Sequence, residues 1–95
     1  MKVVKRIDSN SNKEILFRQI GAKITYYRKA QQLTQEQLAA RVNVSTNTIG
    51  RIERGKYNNN ISLSLLLDIA VGLGIEAYVL LMFTEEEKRV WHGDD

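Results

Sequence analysis

Residues 35–54, QEQLAARVNVSTNTIGRIER, constrain the fold of this chain more than any other stretch. Two short segments of helical spacing lie on either side of a break at Asn43, and the 95 residues contain no proline. Thr34 with Gln37 forms a capping box for the first segment, and Ser45 can cap the second. Helices this short are unstable alone in water, so the pattern predicts two helices held by a larger domain.

Composition limits what that domain can be. Ninety-five residues, 43% hydrophobic and 26% charged, suit one globular domain. The chain has no cysteine and its one histidine, His92, lies in a charged tail, so we expect no cofactor, no metal site and no enzymatic activity. It has no apolar run of membrane-spanning length and no signal peptide pattern, and we expect a cytoplasmic protein with no membrane partner.

Charge is distributed unevenly along the chain. Residues 1–57 hold twelve of the fourteen Lys and Arg residues but only four of the eleven Asp and Glu residues. A basic first half beside an acidic second half favours contact of one face with a polyanion, although two solvated surfaces that differ in charge would give the same pattern.

Helical periodicity predicts an all-α fold, a compact bundle of about five short helices that includes a helix-turn-helix. A capping box at residues 11–14 predicts the start of the first helix, and Ser62 and Gly74 can bound the fourth. The segment from Ile75 to Phe83 has helical spacing but also alternates, so we favour a helix and keep a dimerisation strand as the alternative. We divide the chain into a basic arm (1–11), a helix-turn-helix domain (12–84) and a charged tail (85–95).

The outward side of the third helix carries the candidate binding residues. Ile49 and Ile52 should face the core, which leaves short hydrogen-bonding side chains, a glycine and two guanidinium groups on the other side. Arginine can fork onto guanine and asparagine onto adenine in a major groove. Glycine is costly inside a helix and suggests the close approach of something bulky. A solvated helix face is the competing interpretation of this set: Thr46, Asn47, Gly50, Arg51 and Arg54.

Two longer stretches, YRKAQQLTQEQLAARVNVSTNTIGRIERGK and ISLSLLLDIAVGLGI, extend the pattern. From Ile20 to about Leu81 the chain resembles the lambda-repressor/Cro-like helix-turn-helix family, also called the XRE family. Ala39 stands where the two helices of the motif cross, and a larger residue there should clash with Ile49. The resemblance departs at Asn43, where glycine is usual, and at Glu76, where Ser or Thr usually opens the last helix.

The resemblance implies that the third helix reads bases through Thr46, Asn47 and Arg51. Contacts with the DNA backbone, which set register without specifying sequence, are expected from helix N-termini and exposed loops. The resemblance implies this role for Gln35, Lys56, Tyr57 and Asn58, and we assign Ser45 and Arg54 to it as well.

Arg28 and Glu53 form a predicted structural ion pair. Arg28 continues the apolar stripe of the first helix, and Glu53 lies beside Ile52 on the inward side of the third. A buried charge needs a partner, so these two residues should pair and hold the third helix in place.

The segment AYVLLMF is more apolar than one buried helix face requires. Surplus apolar surface on a small domain suggests a partner, and we expect a homodimer that places two third helices about 34 Å apart on DNA. The predicted interface consists of Tyr78, Leu80, Leu81 and Met82.

These features predict a bacterial or phage-type transcriptional regulator that binds double-stranded DNA as a homodimer on an inverted repeat, most simply as a repressor. Lys2, Lys5 and Arg6 could form an arm along the duplex or a plain tail. Two variants match equally well: the controller protein of a restriction-modification system, and a DNA-binding antitoxin that would also bind a toxin protein. The alternative from a different class is a protein-interaction module.

Overall fold

The computed structural model describes residues 9–57 and 61–82. These residues form four α-helices and a short 3₁₀ helix, joined by turns. The α-helices are α1 (Ser9–Ala30), α2 (Gln35–Val42), α3 (Thr46–Glu53) and α4 (Leu63–Leu73), and the 3₁₀ helix spans Ala77–Leu81. These ranges contain no β-strand, so the predicted all-α class is confirmed. Within them, no helix has both the length and the apolar content to cross a bilayer.

The predicted caps define the ends of α2 and the start of α3. Thr34 Oγ1 accepts from the Gln37 N–H at 3.0 Å, and Gln37 Oε1 accepts from the Thr34 N–H at 2.9 Å. Asn43 closes α2 in the left-handed conformation, with φ 61°, which asparagine tolerates better than other non-glycine residues. Ser45 Oγ then accepts from the Thr48 N–H at 3.0 Å. The break in the sequence is therefore a tight turn between two capped helices.

Every helix contributes apolar side chains to one core. Ile24, Leu38 and Ile49, from α1, α2 and α3, have no exposed surface, and burial of each stabilises the fold by roughly 1.5–3 kcal/mol. α4 is capped by Ser62 and ends at Gly74 in the left-handed conformation, as predicted. The buried apolar set is Ile20, Ile24, Leu38, Ala39, Val42, Ile49, Ile52, Leu66, Ile69, Ala70, Leu73 and Leu80.

Gly21 sets the distance between α1 and α3. A Cβ at this position would lie 2.4 Å from the Ile52 carbonyl oxygen and 2.6 Å from the Glu53 carbonyl oxygen. Those distances are far inside van der Waals contact, so only glycine allows α1 to reach the carboxyl end of α3. The close approach fixes where α3 lies on the domain.

The start of α1 differs from the prediction. Ser11 was expected to cap it, but the helix already includes Ser9, so it begins within the stretch assigned to the basic arm (1–11). Four consecutive residues, 9–12, are all serine or asparagine. Each of these types can cap a helix, so residue type alone does not select the first turn. The basic residues Lys2, Lys5 and Arg6 lie outside the described residues.

The last described element is neither the favoured α-helix nor a strand. Ala77–Leu81 forms a 3₁₀ helix, and Glu76 at its N-cap position makes no side-chain hydrogen bond to it. A five-residue run without a side-chain cap suits the short 3₁₀ form. Its inward residue is Leu80, with no exposed surface, whereas Tyr78 is 61% exposed. Leu80 had been assigned to the dimer interface, outside the core of its own domain. The whole of the predicted charged tail (85–95), including Glu85 and Arg89, lies outside the described residues.

Gln19 is a polar exception to the apolar interior. Its side chain is 1% exposed, and neither Oε1 nor Nε2 makes a hydrogen bond with any group that the structure describes. An unsatisfied buried amide costs about 1–3 kcal/mol of stability. Gln31, in the turn after α1, differs because its Nε2 donates to the Leu73 carbonyl.

We expect Gln19→Met to raise the free energy of unfolding by about 1–3 kcal/mol, because an apolar side chain of similar shape removes the unpaired amide. Gln31→Met is the matched control and should lower the free energy of unfolding by about 1 kcal/mol, since it removes a hydrogen bond that is made. Urea unfolding followed by circular dichroism measures both. A less stable Gln19→Met protein would show that this amide has a partner.

Candidate nucleic-acid interface

The outer side of α3 presents the side chains predicted to read bases. Thr46 and Asn47 are exposed and Arg51 is half-buried. Ile49 and Ile52 on the opposite side have no exposed surface, so α3 is anchored by its inner face. Short hydrogen-bonding groups and a guanidinium therefore share one surface of an eight-residue helix.

Gly50 has a different role from the one expected. It is buried, and a Cβ there would lie 3.2 Å from Arg54 Nη1 and 3.6 Å from Gln35 Oε1. The side chains that cover it belong to the same domain, so the interpretation of Gly50 as a point of close approach for a ligand is wrong. The glycine instead leaves room for Gln35 and Arg54 to lie across α3.

The structure brings Arg28 and Glu53 together as a two-pronged ion pair. Arg28 Nε donates to Glu53 Oε2 at 2.6 Å, and Arg28 Nη2 donates to Oε1 at 3.1 Å. The two side chains are 9% and 4% exposed. Arg28 Nη1 donates to the Leu33 carbonyl at 2.7 Å. A nearly buried pair with these additional bonds fits the requirement that buried charges be partnered.

Gln35 joins the same cluster from α2. Its Nε2 donates to Glu53 Oε1 at 2.9 Å, so Glu53 receives donors from α1 and from α2 while belonging to α3. Nothing in the local sequence indicated this bond, because the two residues are 18 positions apart and neither helical spacing nor capping relates them. Gln35 thus has a structural role in addition to the backbone contact predicted for it.

The environment of Glu53 lowers the pKa of its carboxyl below the usual 4.5. Burial raises this pKa, but hydrogen bonds from Arg28, Gln35 and Thr25, together with the positive charge of Arg28, lower it by more. The carboxylate is therefore the form that the folded protein prefers.

The loop after α3 returns to its outer side. Gly55, with φ 71°, turns the chain, and the Lys56 N–H donates to the Arg51 carbonyl at 2.8 Å. The Lys56 side chain is exposed, and the half-buried Tyr57 places its ring 5.9 Å from Arg51 Cζ. The remaining loop residue predicted to bind the DNA backbone, Asn58, lies outside the described residues.

Ser45 and Arg54 stand at the two ends of α3, as its N-cap and C-cap residues. Both are exposed. Ser45 Oγ donates to Thr48 Oγ1 at 2.9 Å while it accepts from the Thr48 N–H. Together with Gln35 and Lys56, these positions border the face that carries Thr46, Asn47 and Arg51.

The predicted dimer residues do not share one environment. Tyr78, Leu81 and Met82 are 61%, 50% and 56% exposed, but Leu80 is completely buried. Leu80 belongs to the core of its own domain, and its assignment to a dimer interface is wrong. Leu80 is buried because the segment forms a 3₁₀ helix, instead of an α-helix, where it packs against α1 and α4.

A second group of exposed apolar side chains lies on α4. Leu63, Leu67 and Val71 are 66%, 44% and 79% exposed, and their four-residue spacing places them along one side of the helix. LSLLLDIAVGL is apolar on nearly every side, so its sequence pattern could not separate the buried stripe from an exposed one.

Comparison with known proteins shows which family this region matches. Residues 24–80, more than half of the chain, match the model of the helix-turn-helix family. An uncharacterized HTH-type transcriptional regulator of Methanocaldococcus jannaschii is 40% identical over 65 residues, which cover 68% of this chain and 96% of that protein. The immunity repressor protein of Bacillus phage phi105 is 40% identical over 62 residues, but those cover 42% of the repressor.

Solved structures agree with this match. The restriction-modification controller protein C.AhdI from Aeromonas hydrophila superposes with a TM-score of 0.64 at 33% identity, covering 67% of this chain and 94% of that one. A hypothetical transcription factor from Neisseria, NHTF, superposes with a TM-score of 0.70 over 95% of this chain and 97% of that one. Its identity is 23%, so it supports the fold alone.

We expect Glu53→Ala to lower the free energy of unfolding by about 3–5 kcal/mol at neutral pH, because Arg28 is left nearly buried without its partner. Thermal and urea unfolding measure the loss. An unchanged melting temperature would contradict the structural role of the pair.

The pH dependence of this effect has a defined direction. Because the pKa of Glu53 is lower in the folded protein than its usual 4.5, the stability it contributes is complete above the unfolded value and is lost as pH falls through the folded one. The difference in stability between wild type and Glu53→Gln should therefore shrink below pH 4.5. An unchanged difference across that range would contradict a lowered pKa.

Proposed function

This chain belongs to the lambda-repressor/Cro-like (XRE) helix-turn-helix family, and we propose that it is a sequence-specific transcriptional regulator that binds operator DNA with α3. In this proposal α3 is the recognition helix and enters the major groove of a duplex. The observation that carries it is the outer side of α3, where Thr46, Asn47 and Arg51 lie together on a helix anchored by the opposite face.

The proposal divides the interface into two roles. Thr46, Asn47 and Arg51 contact base edges, where Asn can pair with adenine and Arg with guanine. The residues around them contact phosphates and set the register. The bordering positions of the exposed Ser45, Arg54 and Lys56 support this second role, and Gln35, Tyr57 and Asn58 are assigned to it as well.

We also propose that the regulator is a homodimer on an inverted repeat. Tyr78, Leu81 and Met82 are exposed and apolar in large part, and surplus exposed apolar surface on a small domain favours a partner. The α4 stripe of Leu63, Leu67 and Val71 adds further apolar area. A twofold axis through such a surface would place two recognition helices about 34 Å apart.

A dimer that occupies a promoter would block transcription, so we propose that the protein is a repressor. We propose that it acts in the cytoplasm. The likeness to the phage immunity repressor supports repression. The likeness to the restriction-modification controller C.AhdI favours the controller variant as the second candidate. Binding of a toxin protein belongs to the antitoxin variant alone.

We expect Arg51→Ala to relax discrimination at one base pair and weaken operator binding by about 1–3 kcal/mol, because it removes a guanine fork. Lys56→Ala should weaken all sequences alike and reduce the salt dependence of binding, since it removes a phosphate contact. Binding to operators selected from random DNA, titrated at several salt concentrations, measures both effects.

The same titrations separate the two classes of function. Affinity for DNA that falls steeply with ionic strength supports the regulator. A protein that fails to bind any duplex at low ionic strength would be the interaction module instead. If both variants lose affinity uniformly over all sequences, the assignment of Arg51 to a base and Lys56 to a phosphate is wrong.

For the dimer, we expect Leu81→Glu to shift the protein toward monomer in sedimentation at tens of micromolar, because a buried unpaired charge would destabilise the interface. Ala40→Glu adds the same charge at an exposed position of α2 and should leave the dimer intact. Monomeric wild type at that concentration would refute the dimer, and a dimeric Leu81→Glu protein would place the interface elsewhere.

A further inference from the structure

We infer that Tyr57 is a positioning residue for Arg51 and thereby sets discrimination at the base pair that Arg51 reads. This inference rests on the proposed function of α3 and changes the role of Tyr57, which the sequence assigned to the DNA backbone. It starts from the contact between the Arg51 guanidinium and the Tyr57 ring, whose centroid lies 5.9 Å from Arg51 Cζ. That distance is within the range of a cation–π interaction.

The ring itself has little freedom to move. Tyr57 is half-buried and packs against the core cluster. The turn that leads to it is held by the bond from the Lys56 N–H to the Arg51 carbonyl, 2.8 Å long. Gly55, in the left-handed conformation, packs against Arg18 so closely that a Cβ would lie 2.6 Å from Arg18 Cγ. The ring is therefore a fixed support for a long side chain on α3.

The contact is compatible with base recognition. A guanidinium stacks through the face of its plane, whereas its N–H groups donate along the edges of that plane. A guanidinium that turns its face toward Tyr57 keeps free the two edge donors that would meet O6 and N7 of guanine. One side chain can make both interactions at the same time.

Support of this kind raises specificity as well as affinity. Arginine has large rotamer entropy, and ordering it during binding reduces the affinity gained from its contacts. A guanidinium already held by a fixed ring loses less freedom when it meets guanine. At a base pair without the matching acceptors, Arg51 makes no fork and the support brings no gain. An exposed cation–π contact corresponds to about a two- to five-fold effect.

The experiment compares Tyr57→Phe, which keeps the ring and removes the hydroxyl, with Tyr57→Leu, which keeps apolar packing and removes the ring. Operator affinity is measured for the preferred site and for variants of the base pair at which Arg51→Ala loses discrimination. We expect Tyr57→Phe to retain wild-type discrimination there and Tyr57→Leu to lose about two- to five-fold. In the Arg51→Ala background, Tyr57→Leu should have no further effect on discrimination.

The outcomes distinguish this inference from the proposed function. If wild type binds DNA and Arg51→Ala relaxes one position, but Tyr57→Leu discriminates like wild type, the positioning role is wrong and the regulator stands. Tyr57→Phe could instead lose affinity uniformly over all sites while Tyr57→Leu keeps its discrimination. That result would show that Tyr57 contacts the DNA backbone and does not position Arg51. Failure of wild type to bind any duplex overturns the function itself.

A measurement on the free protein keeps the test decisive if Tyr57→Leu does not fold. An aromatic ring shifts the resonances of protons above its face. The Arg51 side-chain resonances in the NMR spectrum of wild type should therefore be displaced upfield, and they should stay displaced in Tyr57→Phe. Arg51 resonances at ordinary positions in wild type would overturn the inference without any DNA-binding assay.

Discussion

The ion pair between Arg28 and Glu53 is the interaction on which the rest of the candidate site depends. It joins the end of α1 to the end of α3 through two hydrogen bonds, and Gln35 adds α2 to the same carboxylate. An eight-residue helix cannot maintain itself in water. The candidate recognition surface therefore depends on three helices that converge on one nearly buried charge, which must be satisfied.

Close backbone approach is the second condition for this arrangement. Gly21 lets α1 reach the carbonyl groups at the end of α3, and Gly50 lets Gln35 and Arg54 lie over the middle of α3. Both glycines serve contacts inside the domain, although one had been interpreted as facing a ligand. The contacts on the inner side of α3 therefore determine which of its side chains are exposed. Thr46 and Asn47 are exposed to solvent, and the Arg51 guanidinium contacts the Tyr57 ring.

The features that could be predicted are those that depend on neighbours in the chain. The capping box at Thr34, the left-handed Asn43 and the Ser45 cap each involve residues within four positions, and all three are present. The start of α1 could not be predicted, because residues 9–12 offer equivalent caps. Leu80 was misplaced because helical spacing assumed an α-helix where the chain forms a 3₁₀ helix, which rotates each side chain to a different side.

The sequence by itself determined the all-α class, the two capped helices of the motif and the candidate residues on the outer side of α3, because helix periodicity and capping are local chemistry. Tertiary structure alone decided that Gln35 bonds to Glu53, that Gly50 is covered and that Tyr57 supports Arg51. These contacts join side chains that belong to different elements or meet only where the chain turns back on α3. Their existence depends on how helices pack in space, and no spacing along the chain encodes that.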